Sequence, residues 1–150
     1  MAAASPRPSF RPFPGDAPGD WLVVYGTLKQ EQVNHHWLAG FPCHGSVSVA
    51  SFVLHDLGPF PMAVHGPGHL FGELYRVDAA TLVALDRLEG VPRLYQRWRC
   101  RPVGAPWAWI YVGTARQVRH SPRVVDGWWT GGRLTTRQDG EASGAVLPAP

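Results

Sequence analysis

Apolar residues recur along this chain in short runs, most of them with the two-residue period of a β-strand. Trp21–Tyr25 is an uninterrupted apolar run that ends at a glycine, which predicts a buried strand. Four later segments carry apolar residues at alternate positions or in short runs: Gly45–Leu54, His69–Val77, Leu94–Val103 and Pro106–Gly113. The pattern therefore predicts five or six short strands.

Two segments have helical spacing instead. Gln30–Ala39 carries apolar residues four and five positions apart, which predicts a short helix. Ala79–Glu89 predicts a second one, because Asp78 is a good N-cap and Gly90 is a good residue to follow the last turn. The glycine- and proline-rich stretch Gly58–Gly68 predicts a loop with a short extended piece.

These elements predict an α+β fold, a small mixed or antiparallel β-barrel with two short helices. The 150 residues include 17 Gly and 15 Pro, well above average usage. Much of that excess lies at the ends, so we expect a flexible Pro-rich tail at 1–20 and a flexible Gly-rich tail at 131–150. All tryptophans and tyrosines lie between them, which predicts one folded domain at 21–130.

Charge adds little to this picture. The formal net charge is +3, which does not by itself indicate a nucleic-acid partner. Arg97, Arg99 and Arg101 alternate along one predicted strand and define either a nucleic-acid surface or the solvated outer face of that strand. We expect the second, with Trp98 and Cys100 turned inward. The sequence therefore predicts no nucleic-acid partner.

The sequence also gives little indication of a membrane-spanning helix, a metal site or disulfide bonds. No apolar run approaches the roughly 20 residues of a membrane-spanning helix, and no secretory signal is evident. Cys43 and Cys100 could pair, but two thiols form no disulfide framework, so a cytoplasmic location is the default expectation. The seven histidines follow no zinc-binding spacing, so we expect no metal site.

The first candidate for chemistry is the segment Tyr25–Lys29 (YGTLK), where a buried strand runs into a glycine. Gly26 allows the backbone to approach a ligand closely, and successive N–H groups at such a turn bind anions such as a carboxylate or a phosphate. The alternative is an ordinary connection between a strand and a helix. The segment matches no nucleotide-binding motif.

The second candidate is Glu89, which continues the apolar stripe formed by Leu82 and Leu85 at the end of a predicted helix. Burial and the helix dipole would both raise its pKa, which suits proton transfer near neutral pH. The alternative is a solvent-facing glutamate at a frayed helix end. Asp86 beside the stripe is interpreted as a solvated charge or a loop-binding acceptor. Glu73 is either a second pocket acid or an inward acid paired with an arginine.

Four short motifs occur in an ordered set: YGTLK at Tyr25–Lys29, GELY at Gly72–Tyr75, LDRLEG at Leu85–Gly90 and LYQR at Leu94–Arg97. Their order and spacing over about 21–113 resemble the γ-glutamylcyclotransferase-like family. The resemblance implies a small mixed barrel. It also implies an enzyme in which the α-amine of a γ-glutamyl amine or amide attacks its own γ-carbonyl, forming 5-oxoproline and releasing the free amine.

The resemblance also implies roles for single residues. Glu89 corresponds to the family's catalytic acid and base. The residues expected to bind the small-molecule substrate are Tyr25, Gly26, Thr27, Leu28 and Tyr95. No cofactor is expected, because the nucleophile and the electrophile belong to one molecule. The oligomeric state and the leaving amine are left open.

Two other functions compete with this hypothesis. The same fold could hold a carboxylate ligand without turnover, and Glu89 favours the enzyme over that binding module. A basic interaction protein that uses the arginine stripe is the third possibility. Phe60–Met62 resembles an aromatic-proline element near the family's pocket, for which packing is the expected role. Asp126–Trp129 resembles the aromatic ending of some bacterial members and either covers the pocket or closes the barrel.

Overall fold

The computed structural model describes residues 19–131, so the predicted tails 1–20 and 131–150 lie almost wholly outside the described residues. The described chain forms five strands, one α-helix and two single 3-10 turns. The strands are β1 Asp20–Val24, β2 Cys43–Asp56, β3 Pro61–Val77, β4 Gln96–Cys100 and β5 Ala108–Val112. The helix α1 is Ala79–Leu88, and the 3-10 turns are His35–Leu38 and Ala115–Val118.

The strands form one mixed sheet in the order β2-β3-β1-β5-β4. β1 is antiparallel to β3 and parallel to β5, while β2 and β3 form a long antiparallel hairpin. The predicted α+β class is confirmed, but the predicted barrel does not close. The short strand β4 ends at Cys100 and is followed by Pro102, which has no N–H to donate. Beyond the end of β4, the Val103 N–H donates to the Ser48 carbonyl of the other edge strand, β2, at 3.0 Å.

The prediction of a loop over Gly58–Gly68 is wrong for most of that stretch, because β3 begins at Pro61 and runs for 17 residues. Its ladder with β2 is interrupted where Gly66, Pro67 and Gly68 face the single residue Ser51. Such an irregularity tolerates glycine and proline because the regular hydrogen bonds are not required there. A strand with such a bulge can therefore be as rich in glycine and proline as a loop.

The second helix is confirmed and the first is not. At α1 the Asp78 side chain accepts a hydrogen bond from the Thr81 N–H at 2.8 Å, and Gly90 follows the helix with a φ of 68°. Of the helix expected at Gln30–Ala39, only the turn His35–Leu38 forms. Glu31 adopts a φ of 69°, which is incompatible with a helix.

Both faces of the sheet are buried, which explains why β1 is apolar at successive positions. Trp21, Val23 and Tyr25 belong to one apolar cluster, whereas Leu22 and Val24 belong to the other, on the side of α1. The end of β1 therefore emerges between two packed layers. This places the residues that follow it in a buried position.

The predicted faces of β4 are partly wrong. Cys100 is buried as expected, but Trp98 is 46% exposed. The arginine face is half-buried, because the Arg97 and Arg99 guanidinium carbons lie 4.3 and 4.5 Å from the centre of the Trp109 ring on β5. An aromatic face on the neighbouring strand attracts these cations and covers them, which alternation within β4 alone could not reveal.

Candidate active site

A small pocket lies at the end of β1. Its lining includes all six residues to which the family resemblance assigned a role, namely Glu89, Tyr95 and the segment Tyr25–Leu28. The lining residues are Val23, Val24, Tyr25, Gly26, Thr27, Leu28, Phe60, Pro61, Glu89, Tyr95 and Tyr111. Glu89 is the only charged residue in this set. The structure therefore brings the segment after β1 and the end of α1 together around one cavity.

Residues 25–28, here called the cavity loop, carry unused backbone donors. The Lys29 N–H donates to the Gly26 carbonyl at 3.1 Å, which closes a tight turn. Within residues 19–131, no hydrogen bond is recorded from the N–H groups of Gly26, Thr27 or Leu28, although all three residues are buried. Buried backbone donors normally have an acceptor. The cavity loop can therefore bind an anion through successive N–H groups.

A second set of contacts holds the cavity loop in this shape. The Asn34 N–H donates to the Thr27 carbonyl at 2.9 Å, and the Asn34 side-chain amide donates to the Thr27 hydroxyl at 3.2 Å. The next residue is also fixed, since the buried Lys29 ammonium donates to the Trp129 carbonyl and lies over the Trp128 ring. Trp129 packs in the core. The Asp126–Trp129 segment therefore braces the chain just after the loop.

Tyrosine side chains form the walls of the pocket and are themselves locked. The Tyr25 hydroxyl donates to the Tyr111 carbonyl at 2.5 Å and accepts from the Ala63 N–H at 3.0 Å. The Tyr95 hydroxyl donates to the Pro61 carbonyl at 2.7 Å. Burial raises the pKa of both hydroxyls, so they stay neutral. These rings shape the cavity and hold its two sides together.

Glu89 also lines this cavity and directly follows the last residue of α1. Its N–H donates to the Leu85 carbonyl at 2.8 Å, and the residue is 6% exposed. Within the described residues, no hydrogen bond to its carboxyl group is recorded. Burial, and secondarily the charge of Asp86, raise the pKa of Glu89 from 4.5 to about 8. This carboxyl group can therefore bind or release a proton near neutral pH.

The raised pKa predicts a cost in stability at high pH. The folded protein keeps a proton on Glu89 between pH 4.5 and about 8, where the unfolded chain has lost it, so stability falls as the pH rises through that window. Glu89→Gln should remove this loss. Relative to the wild type, we expect its free energy of unfolding to rise between pH 5 and pH 9 by up to about 4 kcal/mol. Urea unfolding of both proteins at both pH values measures this, and equal pH dependences would contradict a buried, titrating Glu89.

Comparison with known proteins agrees with this geometry. A family model described as "Gamma-glutamyl cyclotransferase, AIG2-like" matches residues 22–131. The chain belongs to this γ-glutamylcyclotransferase family. The Escherichia coli γ-glutamylcyclotransferase family protein YtfP is 38% identical over 91 residues, which cover 60% of this chain and 80% of YtfP. The γ-glutamylaminecyclotransferase of Rattus norvegicus is 42% identical over 88 residues, 51% of this chain and 58% of that protein.

Solved structures of relatives have the same fold. The solution structure of ytfP from Escherichia coli superposes with a TM-score of 0.60 at 36% identity, covering 73% of this chain and 95% of that one. The crystal structure of an AIG2-like protein from Mus musculus superposes with a TM-score of 0.60 at 25% identity, covering 70% and 85%. The predicted α+β class and the family's fold are thereby confirmed.

Some residues of this γ-glutamylcyclotransferase-family protein have places that the sequence did not show. Phe60 and Pro61, for which packing was expected, line the pocket, and so does Tyr111. Glu73 does not line it. Its carboxylate accepts hydrogen bonds from the Tyr75 hydroxyl at 3.0 Å and from the Gln30 N–H at 2.9 Å. These two donors hold Glu73, in place of the arginine that the sequence suggested.

The described part of the chain gives no sign of the other chemistries. Cys43 and Cys100 are both free thiols. Residues 19–131 contain no cluster of three or more potential metal ligands. No helix within the same residues has the length and apolar character needed to cross a bilayer. The pocket is thus the feature that a functional proposal must explain.

Proposed function

We propose that the protein is a γ-glutamylcyclotransferase that converts a γ-glutamyl amine into 5-oxoproline and the free amine. The observation that carries this proposal is the placement of Glu89. A buried carboxyl group without a recorded hydrogen-bond partner faces a loop with unused N–H donors across one pocket. A purely structural role explains neither why this acid lines the pocket nor why the N–H groups beside it have no acceptor.

The two ends of the pocket suit the two charged groups of a glutamyl moiety. Its α-carboxylate would accept hydrogen bonds from the N–H groups of Gly26, Thr27 and Leu28. Its α-ammonium group would then lie toward Glu89, whose ionised form is its natural partner. The tyrosine walls keep the rest of the moiety folded, which brings the amine close to its own γ-carbonyl.

In the proposed reaction Glu89 moves two protons, one after the other, from the α-nitrogen to the leaving nitrogen. The ionised carboxyl group takes a proton from the α-ammonium group, and the freed amine attacks the γ-carbonyl carbon. A new carbon–nitrogen bond closes the five-membered ring while the carbon–nitrogen bond to the leaving amine breaks. Glu89 gives the first proton to the leaving nitrogen, then takes the second proton from the ring nitrogen and passes it to the departing amine. The amine leaves as an ammonium ion, and the carboxyl group ends in its ionised starting state. No water or cofactor enters this balance.

The lining also favours one class of leaving group. No lysine or arginine contributes to the pocket among the described residues, and the lining includes the half-buried aromatic side chain of Phe60. A leaving group with its own carboxylate would find no cation there. We therefore propose γ-glutamyl amines without a carboxylate on the leaving side as substrates. The 42% identical rat relative carries the name γ-glutamylaminecyclotransferase, in agreement with this choice.

The direct test is to incubate the purified full chain with a set of γ-glutamyl amines and a matched set of γ-glutamyl amino acids. We expect 5-oxoproline and free amine in equal amounts from the amines, with kcat/KM at least about tenfold higher than for the amino acids. Binding of both sets without any 5-oxoproline would instead identify a carboxylate-binding module. Equal turnover of the two sets would contradict the leaving-group preference.

A further inference from the structure

A second acid, Asp86, lies one helical turn before Glu89 but is not part of the pocket lining. One of its carboxylate oxygens accepts from the Tyr111 hydroxyl at 2.8 Å and from the Arg97 side chain, also at 2.8 Å. Because Tyr111 lines the pocket, the first bond connects Asp86 to the pocket wall. Arg97 itself stacks on Trp109, so the carboxylate is held from both β4 and β5.

We propose that Asp86 is a positioning residue of this site: its carboxylate fixes the Tyr111 hydroxyl at the pocket wall, and its charge opposes the ionisation of Glu89. The consequences for turnover rest on the proposed function. The effect on the Glu89 proton rests on the arrangement of these side chains and does not require that any substrate be turned over.

The groups that face Glu89 make Asp86 the relevant charge. Tyr25 at the end of β1, Tyr95 before β4 and Tyr111 on β5 all interact electrostatically with Glu89. Burial raises the pKa of all three hydroxyls, so these groups stay neutral when Glu89 titrates. Within residues 19–131, Asp86 is therefore the acid whose charge acts on Glu89, and it is second to burial in raising its pKa.

The placement of Asp86 beside Glu89 suits the proposed role of Glu89 in proton transfer. A general acid and base works best when its pKa lies near the working pH. Asp86 is held by an ion pair with Arg97 and a hydrogen bond from the Tyr111 hydroxyl. Glu89, which lacks such partners, is left as the group that carries the proton.

Three variants separate the charge of Asp86 from its hydrogen bonds. Asp86→Asn keeps an oxygen acceptor for Tyr111 and Arg97 but removes the negative charge, so we expect the Glu89 titration midpoint to fall by about 0.5 to 1 pH unit. Arg97→Gln removes the compensating positive charge, so the midpoint should rise. Tyr111→Phe keeps both charges and removes the hydrogen bond, so the midpoint should stay in place.

The midpoint is measured directly on the folded full chain by NMR of ¹³C-labelled glutamate carboxyl groups. The chain has only four glutamates, and Glu89→Gln assigns the signal by deleting it. Movement in opposite directions for Asp86→Asn and Arg97→Gln supports the proposal. An unchanged midpoint in Asp86→Asn overturns it, whether or not the protein proves to be a cyclotransferase.

Kinetics on the best γ-glutamyl amine provide the second measurement. The acidic limb of kcat/KM should move down with the NMR midpoint in Asp86→Asn. In Tyr111→Phe the limb should stay where it is, while KM rises about threefold to tenfold because the pocket wall is no longer fixed. If Asp86 were purely structural, Asp86→Asn and Tyr111→Phe would both have a lower folded fraction, and the acidic limb of kcat/KM would move in neither variant. That result contradicts the proposal.

Discussion

Replacing Glu89 with glutamine is expected to lower kcat for a γ-glutamyl amine by about 10²- to 10⁴-fold, the usual contribution of a general acid and base. The amide has nearly the same volume as the carboxyl group, so the pocket should keep its shape. It cannot take a proton from the α-ammonium group or return one to the leaving nitrogen. KM should change much less than kcat, because the cavity loop still binds the α-carboxylate through its backbone.

A matched control is available in Glu31→Gln, which makes the same chemical change at an exposed position outside the pocket. This variant should retain wild-type kcat. The burial of Glu89 adds an internal check, since Glu89→Gln should lose activity while it becomes relatively more stable at high pH. Full activity in Glu89→Gln would exclude the proposed proton shuttle, and loss of activity together with loss of folding would not support it.

The features that the sequence predicted correctly depend on neighbours along the chain. Asp78 and Gly90 mark the two ends of α1 because capping uses residues within one turn of the helix end. The burial of Glu89 could be predicted for the same reason, since the stripe of Leu82 and Leu85 and the helix end are local features. The cavity loop was found through its glycine. None of these inferences requires knowledge of how distant strands pair.

The features that it missed depend on residues far apart in the sequence. Whether Gly66–Gly68 is a loop or a bulged strand is decided by Ser51 on the partner strand. Trp98 is exposed and Arg97 covered because Trp109 lies on the adjacent strand β5. The link from Asp86 to Tyr111 spans 25 positions. Alternation within one strand cannot show such contacts, since it does not reveal which strand lies beside it.

Gly26 is the position where the backbone geometry of the site can be tested most directly. A Cβ atom built on Gly26 would lie 2.7 and 2.8 Å from the Cγ and Cδ atoms of Pro61. These distances are shorter than real Cβ contacts allow, and the proline ring cannot rotate away as a flexible side chain would. The cavity loop and the start of β3 therefore approach each other as closely as they do because residue 26 has no side chain.

Gly26→Ala is accordingly expected to lower kcat/KM by about 10²-fold, because a displacement of the cavity loop by about 1 Å misplaces the bound glutamyl group. Gly66→Ala is the matched control, since its Cβ would meet the Val53 side chain at 3.0 Å in a part of β3 away from the pocket. Both variants should lose some thermal stability, but Gly66→Ala should keep its kcat/KM. If both variants were equally active at equal folded fraction, the backbone of residues 26–28 would not be the substrate-binding element. Loss confined to Gly26→Ala, appearing mainly in KM, would assign to that backbone the binding of the α-carboxylate and leave the proton transfer to Glu89.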